Sequence, residues 1–245
     1  VIGGRRTRSA RARFARYIDA FVSAGPGLGM IYPDLRTAAW HDPAAFPICA
    51  ALERASARIR AESEALPASA FAPEAEAAIA RDGRWDVLML YERGRRHANA
   101  CALVPQTADL IDRFETVKTY AGLAYFSRLR AQTHVQAHRG PTNMRVRCHL
   151  PLAVPGGDCA MRVGSEVRAW QVGRAMVFDD SLEHEAWNRT AEDRIVLVVD
   201  LWHPDLTPDE IRWLHAFQTR VLAQSVNLAR YWADNKRARR SAPDA

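Results

Sequence analysis

Lysine is almost missing from this chain: Lys118 and Lys236 are two of its 34 basic residues, so arginine carries nearly all the positive charge. Cysteine is scarce too. Cys49, Cys101, Cys148 and Cys159 form no CxxC pair and are too few to staple 245 residues, which excludes a disulfide scaffold and leads to the expectation of a reducing, cytoplasmic setting. No run approaches the roughly 18 apolar residues of a membrane span. The Arg-rich start lacks the apolar stretch of a secretory signal. A soluble protein without an integral membrane segment is therefore expected. With only 13 Gly and 13 Pro, and 25% charged residues, the chain is neither collagen-like nor disordered.

Acidic residues are absent from residues 1–17, which hold six Arg, and residues 230–245 carry five bases against Asp234 and Asp244. The formal charge of +6 thus sits at the ends, with 23 basic against 26 acidic residues between them. A nucleic-acid reader would need a basic, aromatic face on the folded part, and the sequence offers none, so no nucleic-acid partner is expected.

What is present divides by period. Residues 6–24, 44–61 and 73–81 are Ala-rich with apolar positions three and four apart, the spacing of helices, which makes residues 1–82 mainly helical. Residues 86–92 and 117–129 read as extended, with a short helical piece at 107–114. From Thr133 onward the pattern alternates. In Met144 to Leu152, Met144, Val146, Cys148, Leu150 and Leu152 fall on one side and Arg145, Arg147 and His149 on the other. Short strands with turn signals every eight to twelve residues, as far as Trp202, predict a sandwich or jelly roll within an α+β fold over residues 83–206. Thr207-Pro208-Asp209-Glu210 opens a last helix, expected to reach residue 235 before a loose tail at 236–245.

Five of the eight His lie between His134 and His203, and His138, His149 and His184 sit on or beside the alternating strands. A single strand His is more often a hydrogen-bonded structural residue. Three of them converging with Arg147 and Arg194 suit a metal together with an acidic small molecule.

The runs His138-Arg139-Gly140-Pro141-Thr142-Asn143, Arg145-Val146-Arg147-Cys148-His149-Leu150, Phe178-Asp179-Asp180-Ser181-Leu182-Glu183-His184-Glu185, and Asp200-Leu201-Trp202-His203-Pro204 resemble the aspartyl/asparaginyl β-hydroxylase family. The resemblance covers about residues 80 to 210. It implies a cupin-like double-stranded β-helix, with N-terminal helices and a C-terminal helix, that uses iron(II), 2-oxoglutarate and dioxygen. His138 and His184 match the iron ligands; Ser127, Arg147, His149 and Arg194 match the cosubstrate positions; Arg145 matches a substrate contact. Gly140 stands where many relatives of the fold carry a carboxylate ligand, so the protein would supply two iron ligands only. Two further substrate-gripping positions, an Arg and a Gln in the animal members, align with Ala80 and Val87. Cys101 matches one half of a disulfide whose partner position is Ala108. A salt bridge of Arg194 with Glu192 or Asp193 is the competing explanation for that arginine, and His134 reads as a supporting or structural residue. The acids Asp179, Asp180, Glu183 and Glu185 read as turn formers and imidazole-orienting groups.

The function this implies is β-hydroxylation of an Asp- or Asn-type amino acid, free, carrier-bound or in a peptide. A lipid acyl-chain hydroxylase of the same family and a non-catalytic jelly-roll binding module are the alternatives.

Overall fold

Alternation between residues 133 and 202 builds two facing antiparallel sheets. A computed structural model describes residues 2–24, 31–74, 80–81, 83–222 and 224. They fall into two compact units, one of residues 1–34 with 206–245 and the other of residues 35–205.

In the first unit, α1 (Ile2–Ala24) buries Ala10, Tyr17 and Phe21 at helical spacing. In the second unit, β1 (Trp40–His41) precedes α2 (Pro47–Glu64), which starts with Pro at its first position, where no N–H is needed. Ile48, Leu52, Ala55 and Ile59 make its buried stripe. After it come β2 (Ala72–Pro73), β3 (Ala80–Arg81), β4 (Trp85–Glu92), β5 (Arg95–Arg96), α3 (Ala98–Leu103) and α4 (Pro105–Asp112). The β-rich core follows: β6 (Leu123–Leu129), β7 (Thr133–His138), β8 (Arg145–Ala153), β9 (Cys159–Val163), β10 (Glu166–Ala169), β11 (Met176–Phe178), β12 (His184–Asn188) and β13 (Arg194–Trp202).

The larger sheet runs β1-β11-β8-β13-β6-β4-β2, with β5 added to β4, and the smaller one β10-β9-β12-β7-β3. Strands β6 to β13 cross between the two sheets in the order of a double-stranded β-helix. On β8 the alternation read from the sequence holds: Val146, Cys148, Leu150 and Leu152 join Cys49, Leu52 and Ile59 of α2 in the outer core. Arg147 and His149 consequently face the space between the sheets.

Two expectations are corrected. The helix read over residues 73–81 is extended at both described ends, Ala72–Pro73 pairing with Val87 and Asp86, and Ala80–Arg81 with Val135 and His134; residues 75–79 lie outside the described residues. Ala-rich spacing presents too little apolar surface to hold a helix against sheet edges that offer backbone hydrogen bonds. The extended stretch foreseen from residue 117 begins only at Leu123, because a turn closes there through Gly122 N–H and the Thr119 carbonyl. Gly122 is required at this point: a Cβ would stand 1.8 Å from the Val117 carbonyl oxygen.

The last helix, α5 (Pro208–Phe217), carries the foreseen capping box, Thr207 accepting from Glu210 N–H while the Glu210 carboxylate accepts from Thr207 N–H. Within the first unit Glu210 is fully buried and takes Arg13 Nε at 2.7 Å and Tyr32 Oη at 2.8 Å. The α-helix expected to reach residue 235 stops at Phe217 and gives way to a π-helical turn over Gln218–Leu222; residues 223 and 225–245, including the expected tail at 236–245, lie outside the described residues.

Candidate active site

β7 and β12 are neighbours in the smaller sheet, and their register sets His138 directly opposite His184. The two imidazole centroids are 4.2 Å apart. His138 Nδ1 lies 2.7 Å from the Gln136 carbonyl oxygen and His184 Nδ1 2.9 Å from that of Leu182. A carbonyl only accepts, so each Nδ1 carries the proton and each Nε2 keeps a lone pair. Burial, followed by the neighbouring His138, pushes His184 down to about 4, so its imidazole is neutral at ordinary pH. Among the described residues no third Cys, His, Asp or Glu joins the pair as a metal ligand.

The place a third ligand would take from residue 140 is filled. A Cβ on Gly140 would lie 2.5 Å from Asp180 Oδ2, and Gly140 N–H donates to the Asp180 carbonyl at 2.7 Å. The Asp180 carboxylate, buried beside Arg145 and Arg147, is held below the usual carboxylate range by those two guanidiniums against the cost of burial. Asp179 forms the turn before His184, accepting from Ser181 N–H and Oγ–H.

Across the barrel, β6, β8 and β13 supply Ser127, Arg147, His149 and Arg194 to one cavity that also holds His138 and His184. Arg194 is the unusual member. Its guanidinium stacks 4.7 Å from the Trp170 centroid and reaches Ser127 Oγ at 3.4 Å, while its Nε is buried without a hydrogen-bond partner. The salt bridge with Glu192 or Asp193 does not form in this structure; Asp193 takes Arg130 instead. Burial pushes Arg194 down to about 10. An unbalanced buried cation costs several kcal/mol, and a carboxylate arriving in the cavity removes that cost.

His149 is fixed as a donor. Trp170 Nε1–H donates to its Nδ1 at 3.2 Å, so the proton sits on Nε2. Burial, then Arg194 and Arg147, hold it well below the ordinary histidine value. Arg147 gives Nε and Nη2 to Asp200 at 2.9 and 3.3 Å. Arg145 is 4% exposed, its Nη1 lies 3.0 Å from Asp180 and 2.8 Å from Asp200, and it sits behind the residues that line the cavity. His134 stands apart from the imidazole pair, bound through Nε2 to Glu185 at 2.8 Å.

Trp170 and Tyr125 carry no signal that singles them out in the sequence, whereas Phe178 opens the run that ends at Glu185. Trp170, Phe178, Tyr125 and Trp85 line the cavity, and Phe178 packs edge-on against both His149 and His184. Asp200 has a mark, lying in the same run as Trp202, His203 and Pro204.

In this double-stranded β-helix two imidazoles, each with its Nε2 lone pair free, face an unbalanced guanidinium, an arrangement able to hold a metal ion together with an acidic small molecule. The chain belongs to the aspartyl/asparaginyl beta-hydroxylase family, whose model matches residues 53–204. It is 41% identical over 147 residues to the human aspartyl/asparaginyl beta-hydroxylase, covering 60% of this chain and 19% of that protein. It is 34% identical over 202 residues to an ornithine lipid ester-linked acyl 2-hydroxylase of Rhizobium tropici, covering 79% of this chain and 70% of that one. The chain thus spans about a fifth of the human relative. A solved 2OG-Fe(II) oxygenase-family protein from Burkholderia pseudomallei overlaps 71% of the chain with 16% identity and a TM-score of 0.42. The family's chemistry is hydroxylation.

Proposed function

We propose that this chain binds iron(II) through His138 and His184 and 2-oxoglutarate against Arg194, and hydroxylates an unactivated C–H bond. The observation that carries the reading is the pairing of two Nε2 lone pairs with a buried guanidinium that has no carboxylate. When bound, iron and 2-oxoglutarate would supply the activation of dioxygen, 2-oxoglutarate losing carbon dioxide as one oxygen atom passes to succinate and the other to the substrate carbon. The chain's own residues do the rest. Arg194 and Ser127 take the far carboxylate, Arg147 and the His149 Nε2–H present donors to the cosubstrate, and Trp170, Phe178 and Tyr125 exclude water from the cavity. The four cysteines are free and buried, which supports a reducing, cytoplasmic setting.

For the substrate we favour an Asp- or Asn-type amino acid, free, carrier-bound or within a peptide, hydroxylated at its β-carbon. A second reading, an acyl chain of a lipid, is favoured by Ala80 and Val87, which offer no charged grip. It also draws on the 70% span of the Rhizobium lipid acyl hydroxylase. Anaerobic addition of iron(II) and then 2-oxoglutarate tests the cofactor reading through the visible absorption of the chelate. A protein that develops no such band lacks the proposed site. Product mass from amino-acid and acyl panels decides between the substrates.

A further inference from the structure

We propose that Asp200 is the positioning residue of the cosubstrate pocket: one carboxylate that aims Arg147 and locks together the three strands on which the cosubstrate residues stand. The β8–β13 register puts Asp200 opposite Arg147, and its side chain is fully buried. Both oxygens are used. Oδ1 takes Arg147 Nε at 2.9 Å and lies 2.8 Å from Arg145 Nη1; Oδ2 takes Arg147 Nη2 at 3.3 Å and Leu123 N–H at 2.9 Å.

Three consequences follow from this geometry. Holding Arg147 by its Nε–Nη2 edge fixes the plane of the guanidinium, so Nη1 is left to serve the cavity that Arg147 lines. Arg145 and Arg147 share one face of β8 two residues apart, and Asp200 with Asp180 balances the two like charges. Leu123 opens β6, so the bond to its N–H ties Asp200 to the strand that carries Tyr125 and Ser127 into the same cavity. Arg194, Ser127 and Arg147 stand on β13, β6 and β8, and the Asp200 side chain bonds across all three.

The inference rests on the reading of Arg147 as a cosubstrate residue. Two substitutions separate aim from charge. Asp200→Asn removes the charge and turns one acceptor into a donor, facing either Arg147 or Leu123 N–H. Asp200→Glu keeps the charge balance but moves the carboxylate by one methylene. Calorimetric titration of 2-oxoglutarate into zinc-loaded protein reads binding without turnover, and zinc affinity itself reports the imidazole pair. We expect both variants to lose about tenfold or more in 2-oxoglutarate affinity, the range for removing a residue that orients a ligating group, with zinc affinity unchanged. Should Asp200→Asn fail to fold, the Glu variant decides. Wild-type affinity in Asp200→Glu overturns the positioning role, because charge balance alone then suffices. If the wild-type zinc protein binds no 2-oxoglutarate, the functional reading falls instead.

Discussion

His138 and His184 face each other because β7 spends one more residue than β12 to get there: His184 pairs with His138 while Ala186, two residues on, pairs with Val135, three residues back. This bulge turns His138 into the cavity that Val135 also lines, and leaves His134 on the other side with Glu185. Strict alternation would have placed His134 and His138 on one face. Either His138→Ala or His184→Ala is expected to abolish tight iron(II) or zinc binding while the melting temperature of the metal-free protein holds or rises. Calorimetric metal titration checks this, and wild-type affinity in either variant refutes the ligand assignment.

Arg194→Met separates stability from binding. Removing an unbalanced buried cation relieves its desolvation, so the cofactor-free protein is expected to melt at the same or a higher temperature. Binding of 2-oxoglutarate is expected to weaken by about 2 to 5 kcal/mol, the cost of losing one side of a buried charge pair. A variant that melts lower and binds normally would place the guanidinium in a structural role.

Residue 140 is not a free position for engineering a third ligand. Gly140→Asp drives its Cβ into the Asp180 carboxylate, so instead of a completed metal triad we expect a displaced Asp180 and reduced stability. Gly140→Ala isolates the steric effect. Thermal unfolding of both variants, and metal affinity of Gly140→Asp, give the answer; a stable, tighter-binding Asp variant would contradict the geometry.

Acid acts on the metal-free protein through its buried imidazoles. His149 and His184 both titrate below the ordinary value of 6.5, mainly through burial. The unfolded chain takes up their protons first, so the stability they contribute is complete above pH 6.5 and is lost as pH falls through each folded value, towards about 4 for His184. Each group contributes about 1.4 kcal/mol per pH unit over the interval it spans. Chemical denaturation at pH 7, 6 and 5 measures the slope, and bound zinc, which keeps the folded imidazoles unprotonated while the unfolded chain still takes up protons, should leave it as steep or steeper.

In the unit formed by α1 and α5, Glu210→Gln removes the charge that pairs with Arg13 and leaves one acceptor oxygen where the carboxylate has two, so it can serve either Thr207 N–H or Arg13 Nε and Tyr32 Oη but not both. A loss of about 2 kcal/mol is expected for a hydrogen bond to a charged group. Glu210 is held below the usual carboxylate value by Arg13, Thr207 and Tyr32 despite its burial, so its contribution is present above pH 4.5 and fades as pH falls through the folded value. Helicity followed by circular dichroism reports on both.

The β8 strand shows how far the sequence can be read. Its alternation by itself separates Arg147 and His149 from Val146, Cys148 and Leu150, because a strand with one face on a helix and one on a cavity must alternate. The capping box at Thr207 is equally legible, being a local interaction between residues three apart. What is not legible depends on pairing between distant segments. The bulge that aims His138 exists only in the register with β12, and the Ala-rich stretch near residue 80 is extended because the edges of β4 and β7 are there to receive it. Arg145, matched by resemblance to a substrate contact, lies between Asp180 and Asp200, a setting that no single strand reveals.

The space shared by Gly140 and Asp180 joins two positions forty residues apart into one steric unit. A lineage cannot exchange the glycine for a ligand while retaining the aspartate, nor enlarge residue 140 without first giving up the carboxylate that balances Arg145 and Arg147. The two-imidazole site is therefore held in place by its neighbours. A change of ligand at residue 140 is expected to call for a compensating change at Asp180.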